Sequence, residues 1–422
     1  MDRIEIDGGI QLKGKIKISG SKNASLPILA ATLLTDKKLQ ISNIPKLADI
    51  HSMISLLRSL NTKIEFSKNC CLIKSNKPDS LNVSYDLVRK MRASFLILGP
   101  LLARYGYAEV SMPGGCAIGT RPVDIHLDGF EKMGAKFKIE NGYVKGKVAG
   151  KLKGNIVKLK KISVGATENL MMAGTLADGI TIIKNAAKEP EIIDLANFLN
   201  KIGADIKGYG TSEIIIKGKK KLEDCKFKIM PDRIEAGTFV LMVFGCSGKV
   251  ILENINDNVS DHLIKIFSPL KNLKLEKKHN GEKLYVEKIR KKNVNLKVST
   301  REYPGFPTDL QAQLTASLIK SKGKSEIKEN IFENRFMHVS ELKRMGADLT
   351  LEGSKILING VKDIYGAEVM ATDLRASSCL IIAGLMAKGK TIINRVYHLD
   401  RGYENIEKKL QNCGIKIKRI NK

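Results

Sequence analysis

The sequence predicts an α/β fold of two domains, each an inside-out α/β barrel of three βαβ-type repeats, with buried helices and sheets outside. An apolar helix that opens with small residues and leads into a short strand occurs six times, at a period of about 70 residues. These helices are apolar on nearly every face, which is typical of buried helices. With 422 residues the chain is also too long for one simple core.

The repeated elements follow one another in a fixed order. The apolar helices begin near Ala24, Ala93, Ala166, Glu235, Leu310 and Arg375, and their strands begin near Leu39, Ala108, Ile180, Val250, Ser325 and Thr391. A second helix then ends in a turn before another strand, as at Gly134, Gly203 and Gly346, where glycine suits the left-handed stop of a helix. Asn61 replaces glycine in one copy, and the copy near Leu270 is degenerate. We place the domains at 22–230 and at 1–21 plus 231–422.

Composition argues against several classes of protein. No apolar run is long enough to span a bilayer, and the charged start Met1-Asp2-Arg3 is unlike a signal peptide, so we expect a cytoplasmic protein without membrane insertion. The seven cysteines are scattered without a CxxC pair, which is typical of free thiols in a reducing compartment. The six histidines show no metal-ligand spacing, so we predict no metal site.

The net charge of +28 raises the question of nucleic-acid binding. The lysines are spread along the whole chain, however, and aromatic residues make up only 5% of it, with no tryptophan to stack on bases. No RNP, KH or helix-turn-helix signature is present. We therefore expect a solvated lysine-rich surface and no nucleic-acid partner, and keep a basic RNA-binding protein as an alternative.

A glycine-rich loop, Gly114 to Asp124, carries the lone thiol of Cys116. Glycines let such a loop move and bring its backbone close to a ligand. Arg121 stands five residues later, and a nearby guanidinium favours the reactive thiolate. The alternative is a buried cysteine beside a surface turn; the flanking glycines and arginine favour a reactive residue.

Cations recur just before or at the starts of the apolar helices. A cation opposes the helix dipole at an N-terminus, so several cations placed there imply a bound anion between them. Any single one could be a surface cation. The repeated pattern predicts an anion-binding cleft, with cations at Lys22, Arg89, Arg92, Lys161, Arg233 and Arg375.

Several motifs together resemble one family, the UDP-N-acetylglucosamine 1-carboxyvinyltransferases. They are Ser19 to Asn23, the Cys116 loop with Arg121 to Asp124, Lys161 to Asn169, Asn185 to Glu191, Pro304 to Asp309, Phe332 to Phe336 and Asp373 to Ala376. The resemblance runs from about Met1 to Glu404. The 5-enolpyruvylshikimate-3-phosphate synthases share the six-unit fold but lack the Gly-Gly-Cys-Ala-Ile-Gly loop, so they are the second candidate.

The resemblance implies an activity. The family transfers the enolpyruvyl group of phosphoenolpyruvate to the 3-hydroxyl of UDP-N-acetylglucosamine and releases phosphate, through addition and elimination at a tetrahedral ketal. This is the first committed step of peptidoglycan synthesis, and fosfomycin inhibits it. The implied partners are the two small-molecule substrates, with no metal or organic cofactor, and the active site is expected between the two domains.

The resemblance also implies roles for individual residues. Cys116 matches the general acid, which also forms a covalent adduct with phosphoenolpyruvate, and Asp309 matches the base for the 3-hydroxyl. Further catalytic residues are Lys22, Asp373, Arg375 and Arg401. Phosphoenolpyruvate is expected at Lys22, Asn23, Arg121, Arg375 and Arg401. The UDP-sugar is expected at Asn23, Arg92, Arg121, Pro122, Val123, Asp124, Ile125, Lys161, Ile162, Ser163, Val164, Asp309 and Ile331.

Overall fold

A computed structural model describes residues 2–89, 91–112, 123–289 and 295–420. These residues form two compact units. The continuous unit comprises the described residues between 20 and 230. The split unit comprises those before 20 together with those from 231 onward.

The strands and helices of the described residues have the following bounds. The strands are Arg3–Asp7 (β1), Leu12–Lys17 (β2), Lys38–Ser42 (β3), Thr62–Ser67 (β4), Cys70–Ser75 (β5), Asn82–Val83 (β6), Tyr107–Ser111 (β7), Ala135–Glu140 (β8), Tyr143–Val148 (β9), Ile156–Lys158 (β10), Ile180–Lys184 (β11), Asp205–Lys207 (β12), Glu213–Lys217 (β13), Cys225–Lys228 (β14), Gly248–Glu253 (β15), Leu273–Lys278 (β16), Lys283–Lys288 (β17), Lys297–Ser299 (β18), Lys324–Lys328 (β19), Asp348–Glu352 (β20), Lys355–Asn359 (β21), Glu368–Met370 (β22), Lys390–Asn394 (β23) and Ile417–Ile420 (β24). The α-helices are Lys22–Ala31 (α1), Ala48–Ser59 (α2), Tyr85–Val88 (α3), Leu98–Tyr105 (α4), Asp124–Lys132 (α5), Val164–Gly174 (α6), Pro190–Lys201 (α7), Arg233–Cys246 (α8), Asp257–Phe267 (α9), Gln311–Leu318 (α10), His338–Arg344 (α11), Leu374–Met386 (α12) and Ile406–Gln411 (α13). Short 3-10 helices span Thr32–Leu34, Arg92–Ile97, Thr308–Leu310 and Val396–Arg401.

The strands form six four-stranded sheets of one common pattern. In the continuous unit the strand orders are β14-β3-β5-β4, β6-β7-β9-β8 and β10-β11-β13-β12; in the split unit they are β22-β23-β1-β24, β16-β17-β15-β2 and β18-β19-β21-β20. Each sheet has one parallel pair, such as β10 with β11, and its remaining pairs are antiparallel. The predicted βαβ-type repeat is confirmed: in four sheets the parallel pair is joined through an apolar helix, and in the other two the paired strands flank different apolar helices. In five sheets a β-hairpin, which the sequence analysis did not separate, completes the sheet; in the sixth, β1 and β24 from opposite ends of the chain take its place.

The apolar helices form the cores of the two units. In the split unit α8, α10 and α12 pack on one another, and every α12 residue from Arg375 to Met386 is buried. Strands such as β13 alternate exposed and buried residues, so one face of the sheet covers the helices and the other meets solvent. The predicted arrangement of buried helices with sheets outside is therefore confirmed.

The predicted helix stops have the expected backbone. Gly134, Gly203 and Gly346 have φ values of 92°, 99° and 95°, in the left-handed region that favours glycine. Asn61 has φ of 57° at the equivalent turn. Asparagine tolerates this conformation better than most residues, which explains how this copy stops without glycine.

Two strands join sheets that their place in the chain does not suggest. Strand β2 directly precedes α1 but pairs with β15 of the split unit, whereas β14 precedes α8 but pairs with β3 of the continuous unit. Next to these crossings, Asp232 N–H donates to Ser19 O at 2.9 Å within the split unit, and Ser21 N–H donates to Met230 O at 2.8 Å within the continuous unit.

Candidate functional site

Asp309 is held by two arginines in the split unit. It lies in the Thr308–Leu310 turn that precedes α10. Its Oδ1 accepts a hydrogen bond from Arg335 and its Oδ2 accepts one from Arg375, each at 2.6 Å. The two arginine side chains are 6% and 7% exposed, against 26% for Asp309, so the pair of cations is more deeply buried than the carboxylate.

The charges of this cluster settle its protonation. Burial raises the pKa of Asp309, but the charges and hydrogen bonds of Arg375 and Arg335 lower it by more than burial raises it. The pKa of Asp309 therefore lies well below its usual value. Burial lowers the pKa of Arg375, and Asp309 more than offsets this, so that the guanidinium stays charged. Asp309 is therefore a carboxylate, and in this arrangement a weak base.

Tyr403 supports Arg375 from the interior of the same unit. The Tyr403 residue is 2% exposed, and its hydroxyl lies 3.4 Å from Arg375 Nη1. It also contacts the side chains of Thr238 at 2.8 Å, Ser378 at 3.1 Å and Gln313 at 3.2 Å. Because Arg401 precedes Tyr403 by two residues, the backbone that carries Arg401 is anchored next to Arg375.

Asp373 caps the helix that carries Arg375. Its Oδ1 accepts hydrogen bonds from the N–H groups of Arg375 at 2.7 Å and Ala376 at 3.0 Å. Such a cap contributes about 1 kcal/mol to a helix. The structure thus gives Asp373 a structural task, and its predicted catalytic role stays a prediction.

The same capping occurs at other apolar helices. Side-chain oxygens of Ser21, Ser163 and Asp232 accept from first-turn N–H groups of α1, α6 and α8. These caps occupy helix N-terminal amides that could otherwise bind an anion. The nearby cations are then the groups that suit a phosphate or carboxylate.

Lys22 opens α1 in the continuous unit, with its Nζ 3.2 Å from Asp49 Oδ2. The side chains are 12% and 5% exposed, so the ammonium is partly withdrawn from water beside a buried carboxylate. Asn23 follows in the first turn of the helix and is half-buried.

Three of the predicted UDP-sugar segments of this unit meet around His126 and Asn169. Asn169 Oδ1 accepts from Gly99 N–H at 2.7 Å, and its Nδ2 lies 3.0 Å from Phe95 O and 3.1 Å from His126 Nδ1. The Phe95 and His126 rings meet edge to face at 5.3 Å. Arg92 begins the 3-10 helix that contains Phe95, and a Cβ on Gly165 would lie 3.3 Å from the His126 ring. The segments of Arg92, Val123 to Ile125 and Lys161 to Val164 therefore lie close together.

His126 is neutral in this setting. Burial lowers its pKa to about 3, and Arg92 lowers it in the same direction. Since Asn169 Oδ1 accepts from Gly99, its Nδ2 is the donor to His126 Nδ1. The ring proton is therefore on Nε2.

Cys116, Arg121 and Pro122 lie outside the described residues. Elsewhere in the chain, burial raises the pKa of other thiols, those of Cys71, Cys225, Cys246, Cys379 and Cys413. A raised pKa disfavours the thiolate and makes these cysteines poor nucleophiles at neutral pH.

The sequence analysis missed three side chains that organise the Asp309 cluster. Arg335 was present in the Phe332 to Phe336 motif and Tyr403 stood beside Arg401, but neither was predicted as a site residue. Glu329 accepts from the N–H of Ile331, a predicted UDP-sugar residue, at 2.8 Å. Arg335 had a motif as its signal, whereas a buried glutamate before an irregular loop offers none.

A family model described as EPSP synthase (3-phosphoshikimate 1-carboxyvinyltransferase) matches residues 6–410. The chain belongs to this family. It is 51% identical over 422 residues to the UDP-N-acetylglucosamine 1-carboxyvinyltransferase of Pelagibacter ubique (strain HTCC1062), covering 100% of both chains. It is 50% identical over 426 residues to the enzyme of the same name from Rickettsia bellii (strain OSU 85-389), again covering 100% of both.

A solved structure supports the same fold. The enolpyruvyl transferase NikO from Streptomyces tendae matches with a TM-score of 0.88 at 21% identity, covering 99% of each chain. Within the described ranges, no helix is long and apolar enough to cross a membrane.

Proposed function

We propose that this chain is a transferase that moves the enolpyruvyl group of phosphoenolpyruvate to the 3-hydroxyl of UDP-N-acetylglucosamine, with release of phosphate. The observation that carries the proposal is the 51% identity, over the full length of both chains, to a relative named for this reaction. The fold alone would not distinguish it from other enolpyruvyl transferases. Its place would be the first committed step of peptidoglycan synthesis, in the cytoplasm.

The proposed donor site uses cations. Phosphoenolpyruvate is a small anion at neutral pH, and guanidinium groups suit both its carboxylate and its phosphate. We assign the donor to the guanidinium groups of Arg121, Arg375 and Arg401 and the ammonium group of Lys22, together with the amide of Asn23. The UDP-sugar would bind at Arg92, the 121–125 segment, the 161–164 segment, Asp309 and Ile331. The expected cleft between two domains stays a prediction.

In the proposed reaction, addition joins the sugar oxygen to C2 of the donor while C3 gains a proton. Elimination removes a proton from C3 and breaks the bond between C2 and the phosphate oxygen. Cys116 would be the acid that protonates C3, and Asp309 the base that accepts the proton of the 3-hydroxyl.

The Asp309 cluster gives this scheme a sequence of events. Asp309 is a weak base while two arginines hold it. A donor carboxylate that binds Arg375 would compete with Asp309 for that guanidinium. Losing one cation would raise the pKa of Asp309, so the base would strengthen when the donor is in place.

Phosphate release from phosphoenolpyruvate tests the proposal, with UDP-N-acetylglucosamine and shikimate-3-phosphate assayed in parallel. We expect release only with the nucleotide sugar. Release only with shikimate-3-phosphate would favour the reaction that the family model's description names. Release with neither acceptor would contradict both transfer reactions and would favour a binding protein of the same fold.

A further inference from the structure

Glu329 is a buried carboxylate with a dense set of donors. It directly follows β19 and is 2% exposed. Its Oε1 accepts from Thr300 Oγ1 at 2.7 Å and from the N–H groups of Ile331 and Phe332 at 2.8 and 3.3 Å. Its Oε2 accepts from Thr308 Oγ1 at 2.9 Å. The Glu329 side chain thus links three segments by hydrogen bonds: the segment after β18, the turn that contains Asp309, and the loop that follows Glu329 itself.

The hydrogen bonds from Glu329 continue to Asp309. The Thr308 hydroxyl that donates to Glu329 accepts from Arg335 Nη1 at 2.7 Å, and Arg335 Nη2 donates to Asp309 at 2.6 Å. The loop from 330 to 335 is therefore fixed at its start by Glu329 and at its end by Arg335. The positions of Ile331 and of the Asp309 carboxylate depend on the same circuit.

We propose that Glu329 is a positioning residue for the acceptor sugar: it fixes the backbone of Ile331 and the turn of Asp309 in one arrangement. The inference rests on the proposed function, in which both residues bind UDP-N-acetylglucosamine. Glu329 acts through Ile331 and Thr308 rather than on the substrate itself.

The chemistry of the carboxylate explains why glutamate stands here. Both of its oxygens accept hydrogen bonds, whereas the amide of glutamine offers one acceptor and one donor. In a Glu329→Gln variant the NH2 group would face either the Thr308 hydroxyl or the loop N–H groups. Either orientation leaves a buried donor without its partner and loosens one side of the circuit.

A simple stabilising role would affect both substrates, while the proposed role affects one. The donor is assigned to Arg375 and to residues outside the loop, so loosening the 330–335 loop should spare its binding. The two KM values, measured in the same assay, therefore separate positioning from general loss of structure.

The test measures KM for each substrate, kcat and the thermal midpoint of Glu329→Gln. Loss of a hydrogen bond to a buried charge predicts a KM for UDP-N-acetylglucosamine raised about 10- to 150-fold. The KM for phosphoenolpyruvate should stay within about twofold of wild type. The matched control is Glu326→Gln in β19, the strand that ends just before Glu329; the Glu326 side chain is 30% exposed, and its carboxylate lies 3.5 Å from Lys355 Nζ. Both of its KM values should match wild type.

Thr308 supplies a second variant should Glu329→Gln fold poorly. Thr308→Val keeps the shape but removes the hydroxyl between Glu329 and Arg335, and Thr308→Ser restores it. We expect a selective rise of the acceptor KM in the first and recovery in the second. An unchanged acceptor KM, or a parallel rise of both KM values with a lower midpoint, would overturn the inference. A wild-type enzyme inactive on UDP-N-acetylglucosamine would instead overturn the proposed function, and this inference with it.

Discussion

Substitution of Arg335 measures the free energy of its interaction with Asp309. In Arg335→Gln the carboxylate keeps Arg375 but loses one charged donor at 2.6 Å. A hydrogen bond to a charged group is worth about 1.5–3 kcal/mol. Because Asp309 is 26% exposed, we take about 2 kcal/mol, and the loss of this cation raises the pKa of Asp309 in the variant.

A double-mutant cycle measures this coupling. Free energies of unfolding are determined in urea for wild type, Arg335→Gln, Asp309→Asn and the double variant, which removes the separate contribution of Arg335 to Thr308. Far-UV circular dichroism suits the measurement because the chain has no tryptophan. We expect a coupling of about 2 kcal/mol at pH 7.

The pH dependence of the coupling has a definite sign. The folded-state pKa of Asp309 is lowered, so its stabilisation is present above the unfolded-state value of about 3.9 and is lost as the pH falls through the folded-state value. The coupling should be constant from about pH 8 to 5 and decline below about pH 4. A coupling below about 0.5 kcal/mol at pH 7, or one that already shrinks above pH 5, would refute the reasoning.

Three further predictions concern the same machinery. Tyr403→Phe should lower the free energy of unfolding by about 1–2 kcal/mol and raise the KM for phosphoenolpyruvate, because Arg375 loses a buried partner; an unchanged donor KM would contradict this. Asp373→Asn should keep the helix cap and the thermal midpoint, whereas Asp373→Ala should lower the free energy of unfolding by about 1 kcal/mol. Loss of turnover in Asp373→Asn without loss of stability would support a catalytic role. Fosfomycin should alkylate Cys116 by mass spectrometry, and Cys116→Ser should lose most turnover while still binding the UDP-sugar; an adduct on another thiol would count against the acid assignment.

The repeats were predictable because each carries its own local signals. Apolar helices and the glycine stops at Gly134, Gly203 and Gly346 have a period that can be read from the sequence alone. The hairpin strands were less visible, although Asn141-Gly142 between β8 and β9 is a strong turn signal, with φ of 51° and 78°. The pairing of β2 with β15 could not be predicted from the local sequence, because β2 stands next to α1 in the chain.

The residues of the candidate site likewise include some that the sequence predicts and some that only the structure reveals. Motif resemblance supplied Asp309 and Arg375, and the structure joins them in one ion pair. It did not supply Tyr403 or Glu329, because their importance lies in contacts with residues far away in the sequence. Nor could it separate the cap formed by Asp373 from a catalytic role, since a short acidic residue before a helix suits both.

The pairing of strands that lie far apart in the chain also sets an order of assembly on the ribosome. The continuous unit has all its strands once Met230 is made, so it can complete its three sheets early. Strand β1 must wait for β23, which stands near the end of the chain, and β2 must wait for β15. At about 5–20 residues per second, the N-terminal strands stay without their final partners for on the order of tens of seconds during synthesis. The nascent chain thus carries two strands without their partners after the continuous unit can already be complete.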